Sequence, residues 1–171
     1  AIVANHTIDS LKSNLQYDNT RGSFSFSGII DSSFGLVFNG VASVQPATYV
    51  FDLERFSFGS NSYVWKNIDD VQLRIDHSGF RVAHALMKHR NESIALTGSI
   101  SDSGLYDLTS TVTDFDLSGL QNIVRESKTF QPGVGFEGHV SGTVHLGGTA
   151  SEPVINVEAS GTDMLYRSTS I

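Results

Sequence analysis

The chain has 171 residues, 39% of them hydrophobic and 17% charged, with a net charge of −7 at pH 7 and no cysteine. This length suffices for one domain with its own core, and the lack of cysteine excludes disulfides and thiolate metal sites. Because the 11 basic residues are scattered singly, no cluster follows a phosphate backbone, and nucleic acid is excluded as an expected partner.

The first part of the chain shows the alternation of a β-hairpin. Thr7 to Tyr17 has mixed spacing, which fits a strand or a short helix. From Gly22 to Ile30 apolar residues alternate with serines, and a second alternating run follows from Phe34 to Ala42. Asp31-Ser32-Ser33 lies between these runs as a turn, so the pattern predicts two antiparallel neighbours.

The next segment predicts a strand that contains a bulge. Phe51 and Leu53 share one phase of the alternation, whereas Phe56 and Phe58 have the opposite phase. One extra residue near Glu54-Arg55 would return both pairs to the same face of a sheet.

Further alternating runs follow, separated by turn-forming residues. A short aromatic segment, Tyr63 to Trp65, precedes runs from Val71 to Ile75, Phe80 to Leu86, Ile94 to Ile100 and Tyr106 to Val112. Gly, Ser, Asn and Asp residues lie between the runs, as in antiparallel meanders.

The last part of the chain predicts one helix and then a long hairpin. Apolar residues recur at helical spacing between Asp116 and Glu126, so we expect a short helix there with Asp116 as its N-cap. Val134 to Ala159 then alternates again, with Gly138 and Gly142 on the apolar face. Glycines on this face leave room for either a facing side chain or a ligand to approach the backbone.

Together these runs predict an all-β chain of roughly ten or eleven antiparallel strands. Several runs reach roughly eight to ten residues, where a typical strand has about five or six. Their single continuing rhythm fits an elongated, curled sheet as well as a closed barrel. We expect one domain over residues 1–171, and we expect it to be a piece of a larger protein, because it begins without Met and ends inside a strand-like pattern.

No arrangement of residues predicts catalysis or a bound metal ion. The spacings of His84 with His89, and of His139 with His145, match no metal-binding signature. Acid pairs such as Asp69-Asp70 lie where turn and capping roles are usual. Since no nucleophile elbow or phosphate-binding loop occurs either, we expect no catalytic residue, no metal site and no cofactor.

The alternating runs share a large apolar face. An ordinary packed core explains this face, because apolar faces usually meet each other. An open groove for an acyl chain also explains it, since each buried methylene contributes about 0.8 kcal/mol. The residues predicted to line such a groove are Phe24, Phe26, Phe34, Leu36, Phe38, Tyr49, Phe51, Leu53, Val71, Leu73, Ile75, Phe80, Val82, Leu86, Ile94, Leu96, Ile100, Tyr106, Leu108, Val112, Phe136, Val140, Val144, Leu146, Ile155 and Val157.

The order of several motifs resembles that of TamB-like proteins, which belong to the AsmA-like, bridge-like lipid transfer superfamily. Phe136 to Ile155 resembles their repeat, in which a glycine-punctuated strand ends in a Gly-Thr turn and is followed by x-x-P and another strand. Upstream, Ile94 to Ile100, Leu105 to Leu108 and Asp116 to Leu120 follow in the order of the C-terminal region of TamB. Trp65, ahead of the next alternating run, also suits the family. The resemblance covers about residues 50–160.

The resemblance implies a fold and a function for the chain. The fold is a β-taco, an open, curled antiparallel sheet with an apolar concave face. The parent protein would be anchored in the bacterial inner membrane, cross the periplasm and contact membranes at both ends. Its groove would carry phospholipid acyl chains to the outer membrane and so support outer-membrane biogenesis, with a TamA- or BamA-like barrel protein as partner. The family has no catalytic residues, so no enzymatic activity is implied.

Two other functions fit the sequence. A scaffold or chaperone-like module would offer a strand edge to the strands of outer-membrane barrel proteins. A carbohydrate-binding β-domain would instead use Tyr63, Trp65 and the aspartate pairs as its site.

Overall fold

The computed structural model describes residues 2–3, 6–60, 63–119 and 134–168, and it describes side chains over 7–60, 63–119 and 137–166. The strands in chain order are β1 (Ile2–Val3), β2 (His6–Asp18), β3 (Arg21–Ile30), β4 (Phe34–Gln45), β5 (Thr48–Ser60), β6 (Tyr63–Asn67), β7 (Val71–Asp76), β8 (Gly79–His89), β9 (Glu92–Ser101), β10 (Tyr106–Asp116), β11 (Val134–Gly148) and β12 (Pro153–Ser168).

These strands form one antiparallel sheet of 12 strands, which confirms the all-β fold class. The order is β1-β2-β3-β4-β5-β6-β8-β9-β10-β11-β12, and β7 pairs with β5 and β8. The prediction of roughly ten or eleven strands agrees with this sheet apart from the two-residue β1, and Thr7 to Tyr17 is a strand rather than a helix. Within the described residues no pairing joins β12 to β1 or β2, so the sheet stays open and does not close into a barrel.

One short helical segment follows β10. Residues 117–119 are helical, and the Oδ1 atom of Asp116 accepts a hydrogen bond of 2.8 Å from the Ser118 N–H, as expected of an N-cap. The helix predicted over 116–126 thus begins where expected, while residues 120–126 lie outside the described part of the chain.

The pairing register places the apolar residues of successive strands opposite one another. Phe38 of β4 is paired with Phe26 of β3 and with Phe56 of β5. Leu73 of β7 is paired with Phe51 and with Val82. Because directly paired residues point to the same side of a sheet, these side chains form one surface, which we call the inner face.

The opposite side, the outer face, is mostly polar. Ser25 is paired with Asn39 there, and Thr97 with Thr109. Residues of this kind tolerate water, so the two faces differ as in an antiparallel sheet with one solvated side.

The bulge predicted in β5 is confirmed. The register with β4 passes from Asn39 opposite Arg55 to Gly40 opposite Leu53, which leaves Glu54 as the extra residue. As a result Leu53 and Phe56 lie on the same face although three positions separate them.

Strands β6 and β7 together act as one interrupted strand between β5 and β8. Asn67, at the end of β6, bridges the interruption. Its Oδ1 atom accepts a hydrogen bond of 2.7 Å from the Phe56 N–H. Its Nδ2 atom lies 3.3 Å from the carbonyl oxygens of Leu53 and Glu54 and 3.0 Å from that of Asp69. One amide group therefore satisfies the backbone on both sides of the β5 bulge.

The buried core lies in the middle of the sheet. The side chains of Trp65, Val71 and Val82 are 1%, 3% and 5% exposed, whereas Leu15 on β2 and Ile155 on β12 are 70% and 62% exposed. The inner face is thus covered at its centre and open towards both outer strands.

The sheet curls around this centre. The rings of Trp65 on β6 and Phe115 on β10 lie 5.8 Å apart and nearly parallel. Three inter-strand steps separate β6 from β10, about 14 Å in a flat sheet. The two rings therefore meet above the strands between them, on the concave side.

Replacing Asn67 with alanine should lower the free energy of unfolding by about 1–3 kcal/mol, because the Phe56 N–H and several carbonyl groups lose their partner. Chemical denaturation monitored by circular dichroism measures this loss. Asn14→Ala, on the exposed outer face of β2, is the matched control and should change stability by less than about 0.5 kcal/mol. Equal stability losses in the two variants would contradict the role given to Asn67.

Candidate apolar groove

The structure brings most of the predicted lining residues onto the inner face. The register extends this face from Phe24 on β3, through Leu53 and Val71, to Leu146 on β11 and Ile155 on β12. The predicted residues form one continuous apolar surface across nine strands, with the two exceptions described next.

Leu86 was wrongly predicted to share this surface. The register of β8 with β9 shifts between Val82 and Ala85, so that Leu86 is paired with Ala95 on the outer face. The bulge brings Ala85 and Met87 to the inner face in its place. Phe136 is the second exception, because its side chain lies outside the described residues.

Aromatic rings line the groove between β3 and β5. The Phe26 and Phe38 rings are stacked, with centroids 4.6 Å apart. Phe24 meets Phe51 edge-on at 6.1 Å, although β4 runs between their strands. The two rings can touch because Gly40, the residue of β4 paired with Phe24, has no side chain to separate them. Geometries of this kind add about 0.5–1.5 kcal/mol per pair to the burial of the rings.

An apolar cavity of ≈ 400 Å³ opens on this part of the inner face. Its lining consists of aromatic and aliphatic side chains from β3, β4, β5, β7 and β8. They are Phe24, Phe38, Phe51, Leu53, Phe56, Leu73, Ile75 and Phe80. A wall without hydrogen-bonding side chains attracts hydrocarbon and offers nothing to a polar ligand.

A cluster of buried side chains fills the inner face beside this cavity. Tyr63, Trp65 and Met87 are 6%, 1% and 6% exposed, and Phe56, Ile94 and Phe115 are among the residues that pack against them. We call these six residues the plug. Phe56 belongs to the plug and also lines the cavity, so the two are separated by a single side chain.

A buried carboxylate fastens the plug to the end of β10. The Tyr63 hydroxyl donates a hydrogen bond to Oε2 of Glu92, and the Asp116 N–H donates a second one of 3.1 Å to the same atom. Glu92 is 6% exposed. Burial, with help from the nearby Glu92 carboxylate, raises the pKa of the Tyr63 hydroxyl well above its ordinary value.

His89 completes this polar group. Its ring lies 4.2 Å from the Tyr63 ring, and its Nδ1 atom is 2.8 Å from the Val64 carbonyl oxygen. Because a carbonyl accepts, Nδ1 carries the proton. The Nε2 atom is buried and has no hydrogen-bond partner among the residues that the structure describes. Nothing in the sequence spacing of His89 and Glu92 indicated that these two side chains are buried.

The glycines of β11 make room for backbone and not for a ligand. A Cβ atom on Gly142 would lie 2.3 Å from the Glu158 carbonyl oxygen of β12. At Gly138, φ is +120°, and a Cβ atom would lie 2.8 Å from the Asp163 carbonyl oxygen. The backbone of β12 therefore approaches β11 closely at these two glycines, and this allows the two strands to coil tightly around each other.

The histidines of β11 lie on the outer face. Nδ1 of His139 lies 3.1 Å from a carboxylate oxygen of Asp114 and 3.3 Å from its carbonyl oxygen, and these contacts raise the pKa of His139. Nδ1 of His145 lies 3.2 Å from the Thr109 hydroxyl. Among the residues that the structure describes, no three His, Asp or Glu side chains converge on a point where a metal ion would bind.

Five of the six plug residues, all except Ile94, are absent from the predicted groove lining. Tyr63 and Trp65 were assigned only to a carbohydrate site, but neither presents an exposed ring face for stacking on a sugar. Phe115 reaches the inner face because the register of β10 with β11 shifts between Val112 and Phe115. No residue type in that stretch marks the shift.

The comparisons add no family to these observations. No protein-family model matches the chain, and neither a curated protein nor a solved structure matches it. No helix in the described part of the chain is long and apolar enough to cross a bilayer.

Replacing Tyr63 with phenylalanine should cost about 1–3 kcal/mol of stability at neutral pH, because Glu92 loses a donor while it stays buried. Because folding raises the pKa of Tyr63, its protonated hydroxyl stabilises the fold fully below pH 10.0. This contribution to the free energy of unfolding is lost as the pH rises further. We therefore expect the wild-type free energy of unfolding to fall above that pH, by up to about 1.4 kcal/mol per pH unit more than in the variant.

Denaturant titrations from neutral to alkaline pH measure both effects. Tyr49→Phe is the control, since the Tyr49 side chain is 50% exposed, and it should keep the wild-type alkaline slope. An unchanged slope in Tyr63→Phe would contradict the buried hydrogen bond to Glu92.

Proposed function

We propose that this chain is a segment of a TamB-like bridge protein and that its inner face carries phospholipid by the acyl chains. The observation that carries the proposal is the apolar cavity bounded by Phe24, Phe38 and Phe51 within a single open sheet. In a sheet without a second layer, the apolar side chains of one face are removed from water only where the sheet curls, where a plug covers them or where hydrocarbon binds. Burial by one of these routes is what stabilises them.

Simple energetics support acyl chains as the occupant. Each methylene buried against the cavity wall contributes about 0.8 kcal/mol, so about five methylenes contribute about 4 kcal/mol. Beyond the cavity, Ile155 and Leu15 extend the apolar surface towards both outer strands. The headgroup stays in water at the open side of the groove, where its charge is not desolvated.

The charge of the chain favours capture by the groove over adsorption to a membrane surface. A net charge of −7 opposes binding to anionic bilayers, which attract basic proteins. Lipid entry then depends on hydrocarbon contact with the inner face.

The resemblance to TamB supplies the cellular setting of the proposal. In that setting the parent protein is anchored in the inner membrane and spans the periplasm, and an outer-membrane barrel protein of the TamA or BamA type receives its far end. The chain acts there as a conduit and not as an enzyme.

A second candidate function, a scaffold for the strands of outer-membrane barrel proteins, is favoured by the outermost strand. All residues of β12 from Pro153 to Tyr166 are exposed, and within the described residues β12 is paired on one side only. An unpaired edge of this length can accept another strand by main-chain hydrogen bonds.

Replacing Phe38 with aspartate should reduce bound phospholipid at least tenfold, because a carboxylate on the cavity wall must be desolvated by an acyl chain. The chain is purified in the presence of bacterial membranes and lipid extracts. Native mass spectrometry then measures the fraction of the chain that carries phospholipid. The matched control is Val37→Asp, which places the same charge one residue away, on the outer face opposite Ser27 and Ser57.

A second variant guards against loss of folding in Phe38→Asp. Ile75→Trp adds volume to the cavity wall without adding charge, at a side chain that is already 41% exposed. It should keep the wild-type circular dichroism spectrum and bind severalfold less lipid. Lipid binding that is equal in wild type, both inner-face variants and Val37→Asp would contradict the conduit, and so would no lipid in any of them.

A further inference from the structure

A concave region of ≈ 400 Å³, which we call the polar hollow, lies over strands β2 to β5. Apart from Val37, the outer-face side chains around it are cationic or hydrogen-bonding. They are Lys12, Asn14, Ser25, Ser27, Asn39 and Arg55. Among the described residues no carboxylate lines it, although the whole chain has a net charge of −7. A lining of this kind attracts a polar anion and offers no wall to hydrocarbon.

The pairing register places the polar hollow on the outer face. Lys12 is paired with Ser27, and Ser27 with Val37. The next row of paired outer-face residues crosses all four strands. It consists of Asn14, Ser25, Asn39 and Arg55. Phe38, between these rows, points to the inner face and meets the polar hollow through its backbone. The polar hollow and the apolar cavity therefore lie on opposite sides of the sheet.

Lys12 and Arg55 lie on opposite sides of the polar hollow. Three inter-strand steps separate β2 from β5, about 14 Å in a flat sheet. Both side chains are exposed, and neither forms an ion pair or a hydrogen bond with another described residue. Long side chains from the two sides can thus reach one anion between them. The guanidinium group of arginine binds phosphate or carboxylate through two parallel hydrogen bonds.

Two carboxylates of β5 lie near Arg55 in sequence but outside the polar hollow. Asp52 accepts a hydrogen bond of 2.9 Å from Nε2 of Gln72. Glu54 is the extra residue of the β5 bulge. Because neither lines the polar hollow, the guanidinium group of Arg55 stays available to a ligand.

Two lysines extend the positive charge beyond the polar hollow. Ser57 on β5 is paired with Lys66, and Lys66 is paired with Lys88. Like charges placed directly opposite one another destabilise a sheet, so this arrangement does not serve stability. Together with Lys12 and Arg55, four of the 11 basic residues share one region of the outer face. They look isolated in the sequence because only the register brings them together, and their combined potential favours a bound anion.

The floor of the polar hollow offers groups that match hydroxyls. Serine hydroxyls and asparagine amides both donate and accept hydrogen bonds. The side chains of Asn14, Ser25, Ser27 and Asn39 form no hydrogen bond with another described residue. Val37 adds a small apolar area against which the C–H groups of a sugar ring can pack. A bare inorganic anion would use the two cations and leave these groups without a role.

We propose that the polar hollow binds an anionic sugar, with its phosphate or carboxylate group held between Lys12 and Arg55. The serine and asparagine side chains bind the sugar hydroxyls. This site differs from the carbohydrate site predicted at Tyr63 and Trp65, whose rings are buried. The inference does not rest on the proposed conduit, because the polar hollow and the groove occupy opposite faces.

Isothermal titration calorimetry with three sugars tests the ligand class. Glucose 6-phosphate, glucuronate or both should bind the wild-type chain saturably. The better of the two should bind at least tenfold more tightly than neutral glucose and than inorganic phosphate. The comparison of the two acids identifies the preferred anionic group. Equal affinity for inorganic phosphate would mean an adventitious ion only, and this result or no binding of either acid overturns the proposal.

Variants of the lining test the location of the site. Lys12→Ala and Arg55→Ala should each weaken binding at least fivefold, because each removes one of the two cations. Val37→Asp places a carboxylate on the floor and should abolish sugar binding while leaving bound phospholipid at the wild-type amount, so the two sites are tested separately. Arg81→Ala is the control, since this exposed cation, paired with Ser99, lies on the outer face away from the polar hollow, and it should stay within twofold of wild type.

Circular dichroism verifies that each variant folds. An affinity for the sugar acid that is unchanged in both Lys12→Ala and Arg55→Ala overturns the assignment of the site.

Discussion

The structure depends on a pairing register that keeps nearly all large apolar side chains on one face of a single sheet. In a sandwich such a face would meet a second sheet, but the described strands supply none. The inner face is instead covered unevenly. Trp65 at the centre is 1% exposed, while Leu15 and Ile155 near the edges stay largely in water. Curl and a plug protect the middle of the face, and the flanks are left as exposed hydrocarbon of the kind that marks a binding surface.

The plug shows how a one-layer fold obtains a core. Trp65 and Phe115 meet across the strands between them, and Tyr63 ties the same cluster to Glu92, which in turn holds the backbone at Asp116. The buried carboxylate is tolerated because two donors converge on one of its oxygens. This fastening lies beside the apolar cavity, with Phe56 shared by both, so the core and the groove are parts of one surface.

The sequence predicted what depends on local alternation. The all-β fold, the turns and the bulge at Glu54 were predicted in this way. The bulge was detectable because aromatic residues on both sides of it revealed the change of phase. The prediction failed at the bulges in β8 and β10, where small or polar residues carry no phase. Leu86 was therefore placed on the wrong face, and Phe115 was missed. The hydrogen bonds of Glu92 were equally hidden, since they join residues of β6, β9 and β10 whose relative register the sequence does not reveal.

The single tryptophan allows one direct measurement of the central claim, because Trp65 lies in the plug next to the cavity. Its fluorescence should be quenched by phospholipids that carry bromine on the acyl chains, and aqueous iodide should have little effect, since the side chain is 1% exposed. Quenching that increases with added brominated lipid, and that phospholipids without bromine reverse, is the result expected of an acyl-binding inner face. Strong quenching by iodide together with none from brominated chains would contradict it.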